Sequence, residues 1–412
     1  DLPIAKIITD VQKKLSHDNT LIVHAPAGAG KSTILPLALL DHPVFKDKKI
    51  LMLEPRRLAA RTIATRMADL LGERVGETVG YRIRFENKVS KHTKIEVLTE
   101  GILTKMIHSD NALEGVGLVI FDEFHERSIH ADVALALCRD AQQILRTDLR
   151  IMIMSATLDM PSLTTLLKAP TASCEGRQYP VKIHYTGQQD EWMISKLAAQ
   201  TVKKASKIHE SGDVLVFLPG QGEIRKCEEM LLKELPDFAI HPLYGQLLQH
   251  QQLAAIFPNK HGKRKVILAT SIAETSLTIE GIKIVVDSGF GRTSRFDPKS
   301  GLSRLETIQI SKDSADQRAG RAGRLSAGVC YRMWSIATQE RLADHRVPEI
   351  LEADLSALVL DMAKWGIIDI HQLTWLSPPS TTNIAMARET LHQLNALENG
   401  KITEHGHKMH EL

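Results

Sequence analysis

The chain has 412 residues, of which 43% are hydrophobic and 25% charged, with a formal net charge of +3. This is ordinary globular composition, long enough for two or three domains, and it lacks the run of about 18 apolar residues that a membrane helix needs. The mild positive charge permits a nucleic-acid partner without demanding one. No charged-apolar-small leader opens the chain, and it starts at Asp1 rather than Met, so a trimmed piece is expected. Cys138, Cys174, Cys227 and Cys330 are scattered, with no CxxC pair. That usage fits a reducing cytoplasm and argues against a disulfide framework or a cysteine zinc site.

Apolar runs at Leu21–His24, Ile50–Leu53, Leu118–Phe121 and Ile151–Met154 come first. Short, nearly continuous runs of this kind suit parallel strands buried on both faces. Helical patterns over Leu58–Leu71 and Asp132–Leu145 lie between them, and the alternation predicts a doubly wound α/β domain over residues 1–174. The rhythm restarts after Ala172–Tyr179, with runs at Val214–Phe217, Ala239–His241, Val266–Ala269 and Ile284–Asp287. A second α/β domain is therefore expected over 175–336. Arg295–Gly301 reads as a turn between two strands. From Ala337 the pattern is helical, with a helix predicted over Pro348–Trp365, a stop at Pro378–Pro379, and a further helix over Ile384–Leu397 ended by Asn399–Gly400. Residues 337–380 are expected as a small helical domain and 381–412 as the opening of another.

The first strand runs into Ala25-Pro26-Ala27-Gly28-Ala29-Gly30-Lys31-Ser32-Thr33. Two glycines let such a loop curl so that its N–H groups converge on phosphate oxygens. A helix starting near Lys31 would add its positive end. The expected roles are Ala27 to Thr33 around a triphosphate, Lys31 on its terminal phosphates and Ser32 on magnesium. Ala25 stands where the common pattern has a first glycine. The competing reading, a small-residue turn before a capped helix, leaves the coincidence of strand, glycines, Lys-Ser and helix unexplained.

Phe121-Asp122-Glu123-Phe124-His125-Glu126-Arg127 follows an apolar strand. Asp122 at the strand end can hold magnesium, and Glu123 can polarise the attacking water as general base and contribute to the metal site. An Asp-Glu pair alone would more often be a solvated loop; beside a phosphate loop it reads as catalytic. In the second domain, Gln317 to Arg324 (Gln-Arg-Ala-Gly-Arg-Ala-Gly-Arg) places Gln317, Arg321 and Arg324 on one face at helical spacing. Arginines crowded in this way suit phosphate and transition-state charge. Glycines argue against a merely solvated basic helix. If these arginines reach the triphosphate, the nucleotide lies between the two domains and hydrolysis opens and closes the cleft.

The motif set resembles helicase superfamily 2, DEAH/RHA branch. The residues that carry it are Gly30-Lys31-Ser32, Glu54 to Arg61, Thr99-Glu100-Gly101, Asp122 to Arg127, Ser155-Ala156-Thr157-Leu158, Ala273 to Ile279 and Gln317 to Arg324. Asp-Glu-Phe-His and Leu-Glu-Pro-Arg-Arg look most like the bacterial HrpB-type helicases. The resemblance implies two tandem RecA-like domains, then a winged-helix domain and the start of a helical ratchet domain, in an N-terminal fragment. It also implies that His125, Ser155 and Thr157 couple the ATP and nucleic-acid sites, and that Gln317 orients water while Arg321 and Arg324 act as fingers in cis. Arg56, Arg57, Thr99 and Thr275 would contact the sugar-phosphate backbone, and Arg66, with Arg61 as the alternative, and Phe290 would sandwich the nucleotide base, with a core aromatic as the competing reading of Phe290. The hairpin near Arg295 would help separate strands, with a plain surface hairpin as the competing reading.

The implied activity is 3′ to 5′ translocation on a single strand, preferentially RNA, by a monomer using ATP and Mg2+ and accepting other nucleoside triphosphates. Backbone grip should be salt-sensitive and independent of sequence. With aromatics at 4%, stacking platforms are not conspicuous. Rival readings are a translocase that remodels RNA–protein complexes without unwinding, an oligomeric P-loop ATPase of another class, and an RNA-binding scaffold with a vestigial loop. No membrane partner is expected, and no protein partner is legible.

Overall fold

The computed structural model describes residues 2–156, 160–176, 179–187, 190–275 and 277–411, without the side chains of Met160 and Pro161. It divides into two compact units, one of Asp1–Glu175, Ser294–Arg304 and Val347–Leu412, the other of Gly176–Thr293 and Leu305–Arg346.

In the first unit, helix α1 (Ile8–His17) precedes β1 (Thr20–His24), α2 (Ile34–Ala38), β2 (Lys49–Leu53), α3 (Arg57–Leu71), the pair β3 (Val79–Ile83) and β4 (Glu86–Lys88), β5 (Ile95–Leu98), α4 (Glu100–Ser109), β6 (Val116–Phe121), α5 (Ile129–Ile144), β7 (Arg150–Ser155), α6 (Met160–Leu167) and β8 (Thr171–Ser173). Their eight strands form one sheet in the order β4-β3-β5-β2-β6-β7-β1-β8. It is parallel except for the β3–β4 pair. The apolar runs are buried because helices cover both faces: all six residues of β6 are buried. Since β6, β7 and β1 are neighbours, the loops leaving them emerge along one carboxyl edge, where open α/β sheets place their chemistry.

The second unit contains β9 (Val181–Tyr185), α7 (Ile194–Ile208), β10 (Asp213–Phe217), α8 (Gln221–Glu234), β11 (Ala239–Leu243), α9 (Gln249–Ile256), β12 (Lys265–Ala269) and β13 (Ile282–Asp287). A hairpin of β14 (Phe290–Asp297) and β15 (Leu302–Gln309) follows, its outer part Ser294–Arg304 belonging to the first unit, then α10 (Lys312–Gly320), β16 (Gly328–Arg332) and α11 (Ile336–Arg341). Its six-stranded sheet is parallel throughout, in the order β11-β12-β10-β13-β16-β9.

The segment from Val347 folds as α12 (Ser356–Trp365), α13 (Thr381–Gln393), the two-stranded pair β17 (Leu397–Glu398) and β18 (Lys401–Ile402), and α14 (Glu404–Glu411). Its apolar residues do not build a core of their own. Leu358, Val359 and Met362 of α12 and Ile384, Ala387 and Leu391 of α13 share one hydrophobic cluster with Leu103 and Ile107 of α4 and with α5. Three expectations need correction. The helix predicted from Pro348 begins at Ser356, after a 3-10 turn over Glu349–Leu351. Asn399 and Gly400, with φ of 52° and 76°, turn a hairpin rather than end a helix, the left-handed pair that two-residue hairpins favour. The helix expected near Lys31 starts at Ile34 and is five residues long. No described helix is long and apolar enough to cross a membrane.

Candidate active site

The loop after β1 curls as its glycines predict: Gly28 and Gly30 have φ of 82° and 92°, which only glycine adopts without strain. Within it the Ala29 N–H donates to the Pro26 carbonyl at 3.2 Å, and the N–H of Ile34 to the Gly30 carbonyl at 2.9 Å. The N-terminal segment braces the loop. A Cβ on Gly30 would come within 2.9 Å of Leu2 Cδ1, and the Ile4 N–H donates to the Ala29 carbonyl at 3.1 Å.

Lys31 is only 3% exposed, and its Nζ lies 3.0 Å from Glu123 Oε1. Burial alone would lower its pKa; the carboxylates of Glu123, Asp122 and Glu54 outweigh that and raise it, so the ammonium stays charged. Glu123 follows β6 with a left-handed backbone, φ 51° and ψ 35°, a conformation costing a non-glycine residue about 1–2 kcal/mol. That turn lets consecutive acids face the same loop. Asp122 Oδ1 accepts from the Glu123 N–H at 2.9 Å, while Asp122 Oδ2 is buried and has no hydrogen-bond partner among the described residues. Burial, and then the neighbouring Glu123, push the Asp122 carboxyl above its ordinary range, against Lys31 and Ser32. An unmatched buried carboxylate oxygen with the Ser32 hydroxyl beside it is a hard-oxygen donor set that fits a magnesium ion.

A relay continues from Glu123. Its Oε2 lies 3.4 Å from His125 Nε2, and His125 Nδ1 lies 3.3 Å from the Oγ of Ser155 at the end of β7. Thr157, the third residue expected in this coupling, lies outside the described residues. Arg56, at the start of α3, is paired to Glu126 at 3.1 Å. Arg57 and Arg66 are exposed on α3 and Thr99 precedes α4 half-buried.

Arg127 and Glu349 carry a role that the sequence reading missed. The guanidinium of Arg127 pairs with both Asp132 oxygens at 3.2 and 3.1 Å and donates to Ser377 Oγ at 3.0 Å. The Arg127 carbonyl accepts from the Glu349 N–H at 3.1 Å, and Glu349 Oε2 accepts from the Ile129 N–H at 2.9 Å. The last residue of the acidic motif therefore seats the helices downstream of Val347. An arginine after an acidic motif, with acids at 132 and 349, was the available signal, but the pairing is long-range and invisible to spacing.

Glu100 sits beside this cluster at the start of α4. Burial, reinforced by Glu126 and Glu349, pushes its carboxyl up to about 7, against hydrogen bonding from Ser128 and the charge of Arg56. A raised acid pKa stabilises the fold at low pH and loses that contribution as pH climbs from the ordinary glutamate value to about 7. Glu100→Gln is therefore expected to melt higher than wild type at pH 8, by on the order of 1–2 kcal/mol. The gap should close below about pH 4.5, as thermal unfolding across that range would reveal.

In the second unit, α10 ends at Gly320 and Arg321 opens a 3-10 turn. Arg321 is 5% exposed, and it donates to the carbonyls of Glu274 at 2.7 Å and Leu277 at 2.6 Å. Arg324 donates to the Leu277 carbonyl and Thr278 Oγ1, both at 3.1 Å. Gln317 is half-buried on α10. Arg318, which the sequence reading passed over, is 1% exposed and pairs with Glu274 and Asp287, each at 2.8 Å. Two residues expected at nucleotide or nucleic acid are buried here: Phe290 is 7% exposed and packs with the hydrophobic core of this unit, and Thr275 is 1% exposed.

Two RecA-like α/β units in tandem, the first with a phosphate-loop sequence and the second with an arginine string, are the architecture of a helicase motor. Family comparison agrees: the DEAD/DEAH box helicase model matches residues 5–166 and the helicase conserved C-terminal domain residues 195–326. The chain belongs to this family, in its DEAH/RHA branch. It is 47% identical to the ATP-dependent RNA helicase HrpB of Escherichia coli, across 100% of this chain and 51% of that protein. With the ATP-dependent RNA helicase HrpA of Borreliella burgdorferi the identity is 40%, over 99% of this chain and 50% of the relative. The crystal structure of the Escherichia coli DEAH/RHA helicase HrpB superposes with a TM-score of 0.94, covering all of this chain and 52% of the other. The chain thus spans about half the length of the curated relatives it matches.

Proposed function

We propose that this chain is the ATP-driven part of an RNA helicase that translocates 3′ to 5′ along a single strand, gripping its backbone. The observation that carries this reading is the buried contact of Lys31 with Glu123 at 3.0 Å, with Asp122 next in the chain. A phosphate-binding lysine and a water-activating acid so placed suit hydrolysis of a phosphoanhydride. Residues Ala27 to Thr33 wrap the triphosphate, and Lys31 transfers from Glu123 to the terminal phosphates, leaving Glu123 to take a proton from water. Ser32, Asp122 and Glu123 would hold a magnesium ion, which when bound would neutralise phosphate charge. Gln317 orients the water, and Arg321 and Arg324 meet the developing charge from the second unit once they leave the carbonyls they now bind. His125 and Ser155 carry the state of Glu123 to the RNA-binding residues Arg56, Arg57 and Thr99, and Arg66 stacks on the base.

By the same reading residues 1–174 and 175–336 are the two motor domains, 337–380 a winged-helix domain and 381–412 the opening of a ratchet-like one. The β14–β15 hairpin helps part strands, other nucleoside triphosphates serve, and the monomer suffices. Identity of 47% with HrpB across the whole chain supports RNA as the partner.

The test is the phosphate-release rate with Mg2+ or with chelator, in the presence of single-stranded RNA, single-stranded DNA or neither. Mg2+-dependent turnover stimulated most by RNA is expected, and turnover indifferent to all three would end the proposal. In the same assay Arg321→Ala should lose about 10³-fold or more in rate while still binding nucleotide; unchanged turnover would remove Arg321 from the reaction.

A further inference from the structure

Away from these residues, three helices of the first unit bring His108 of α4, Asp361 of α12 and His410 of α14 together. His108 Nε2 and His410 Nε2 lie 3.4 and 2.7 Å from the same oxygen, Asp361 Oδ1. All three donor atoms lie within 4.8 Å of one another. Four-coordinate zinc bound to imidazole nitrogen and carboxylate oxygen at about 2.0–2.1 Å separates its ligand atoms by roughly 3.3 Å, so small side-chain adjustments suffice. The two imidazoles stand at 88° with centroids 5.1 Å apart, which aims nitrogens at one point from different sides.

His108 supplies the stronger indication. Its side chain is 3% exposed, and its buried Nε2 has no hydrogen-bond partner among the described residues although it faces Asp361. A buried imidazole nitrogen without a partner is costly and asks for a ligand. The edge of Trp365 covers the ring, at 6.0 Å between centroids, while Asp361 and His410, 21% and 10% exposed, leave the outer side open for a water ligand.

We propose that His108, Asp361 and His410 form a binding site for a divalent transition metal of the zinc class, which pins α14 to α4 and α12. The nitrogen and carboxylate donor set suits zinc better than magnesium or calcium. Binding requires that the Nε2 proton of His410 leave for solvent and that Nδ1 keep or gain one. Lys364 Nζ, now 3.2 Å from that Nδ1, then turns outward.

The experiment uses the full chain stripped with chelator and titrated with Zn2+ by calorimetry, and with Co2+ followed by visible absorption. One equivalent of Zn2+ should bind and raise the melting temperature by a few degrees, and Co2+ should give the intense bands of a four-coordinate ion. His108→Gln and His410→Gln should each weaken binding about tenfold or more. His405→Gln, an exposed histidine of the same helix, should leave it unchanged, and Lys364→Gln should tighten it by removing the competing donor. If Zn2+ binds wild type no more tightly than the His108→Gln/His410→Gln double variant, the cluster is an ordinary hydrogen-bonded one and the site is refuted. Should the variants fail to fold, a wild-type Co2+ spectrum without four-coordinate bands refutes it alone.

Discussion

Glu123→Gln is expected to bind ATP and to lose turnover by about 10²–10⁴-fold, the contribution of a positioned general base. Glutamine keeps the size of the side chain and an oxygen for Lys31, whose ammonium now lies 3.0 Å from Oε1, but it cannot accept a proton from water. The variant removes the negative charge facing a buried lysine, so the ligand-free protein should melt lower, and ATP should restore part of the loss by returning anionic oxygens to Lys31. Lys31→Ala should do the reverse to binding: nucleotide affinity falls first, because the loop loses its cation. Equilibrium titration with a fluorescent nucleotide, steady-state phosphate release and thermal unfolding separate the two patterns. A Glu123→Gln enzyme with near-normal hydrolysis would show that another group takes the proton. His125→Ala should leave binding intact, while uncoupling hydrolysis from RNA stimulation, since His125 joins Glu123 to Ser155.

The sheets of both units were legible because each strand buried on both faces is a short unbroken apolar run, such as Val116–Phe121, bounded by loops rich in glycine and charge. The loop after β1 was legible because glycine, lysine and serine occur in a rigid spacing set by local geometry. What the chain hid was governed by distant packing. Phe290 carries no mark that separates a core aromatic from a stacking platform, and it is Val216, Val286 and Tyr331 from other strands that claim it for the core cluster. Helical periodicity in α12 and α13 announced buried faces without saying that α4 and α5 cover them. Asn399–Gly400 is a turn signal that suits a helix end or a hairpin, and the short strands on either side decide it. Arg127 and His108 matter through partners more than two hundred residues away, Ser377 and Asp361, beyond any spacing argument.

The largest loss of stability is expected from Arg318→Met, and the reason separates this arginine from Arg321, three residues on. Arg318 is 1% exposed; its Nε donates to Glu274 Oε1 and one terminal nitrogen to Asp287 Oδ1, each at 2.8 Å, while the plane sits 4.9 Å from the Phe217 ring. Burial alone would lower its pKa; Asp287 and Glu274 more than compensate, so the guanidinium stays charged in the core. Methionine fills similar volume but leaves the buried Asp287 carboxylate facing the Gly289 N–H at 2.9 Å without its cation. It also leaves Glu274 leaning on Arg346 at 2.8 Å. Breaking a buried ion pair from one side costs about 3–5 kcal/mol, a large share of the roughly 5–15 kcal/mol that holds a domain folded. Urea unfolding should show the midpoint of the second unit falling sharply. Replacing Asp287 and Glu274 with Asn and Gln in the Arg318→Met background should recover part of the loss, because the buried charge goes with them. A drop below about 1 kcal/mol would mean that water or a rearranged Arg346 reaches these carboxylates. Arg321 donates to the backbone carbonyls of Glu274 and Leu277, and its truncation should cost less stability than that of Arg318. That asymmetry follows from what each guanidinium faces: a charge that cannot leave the core, or carbonyls that can be exchanged for phosphate oxygens.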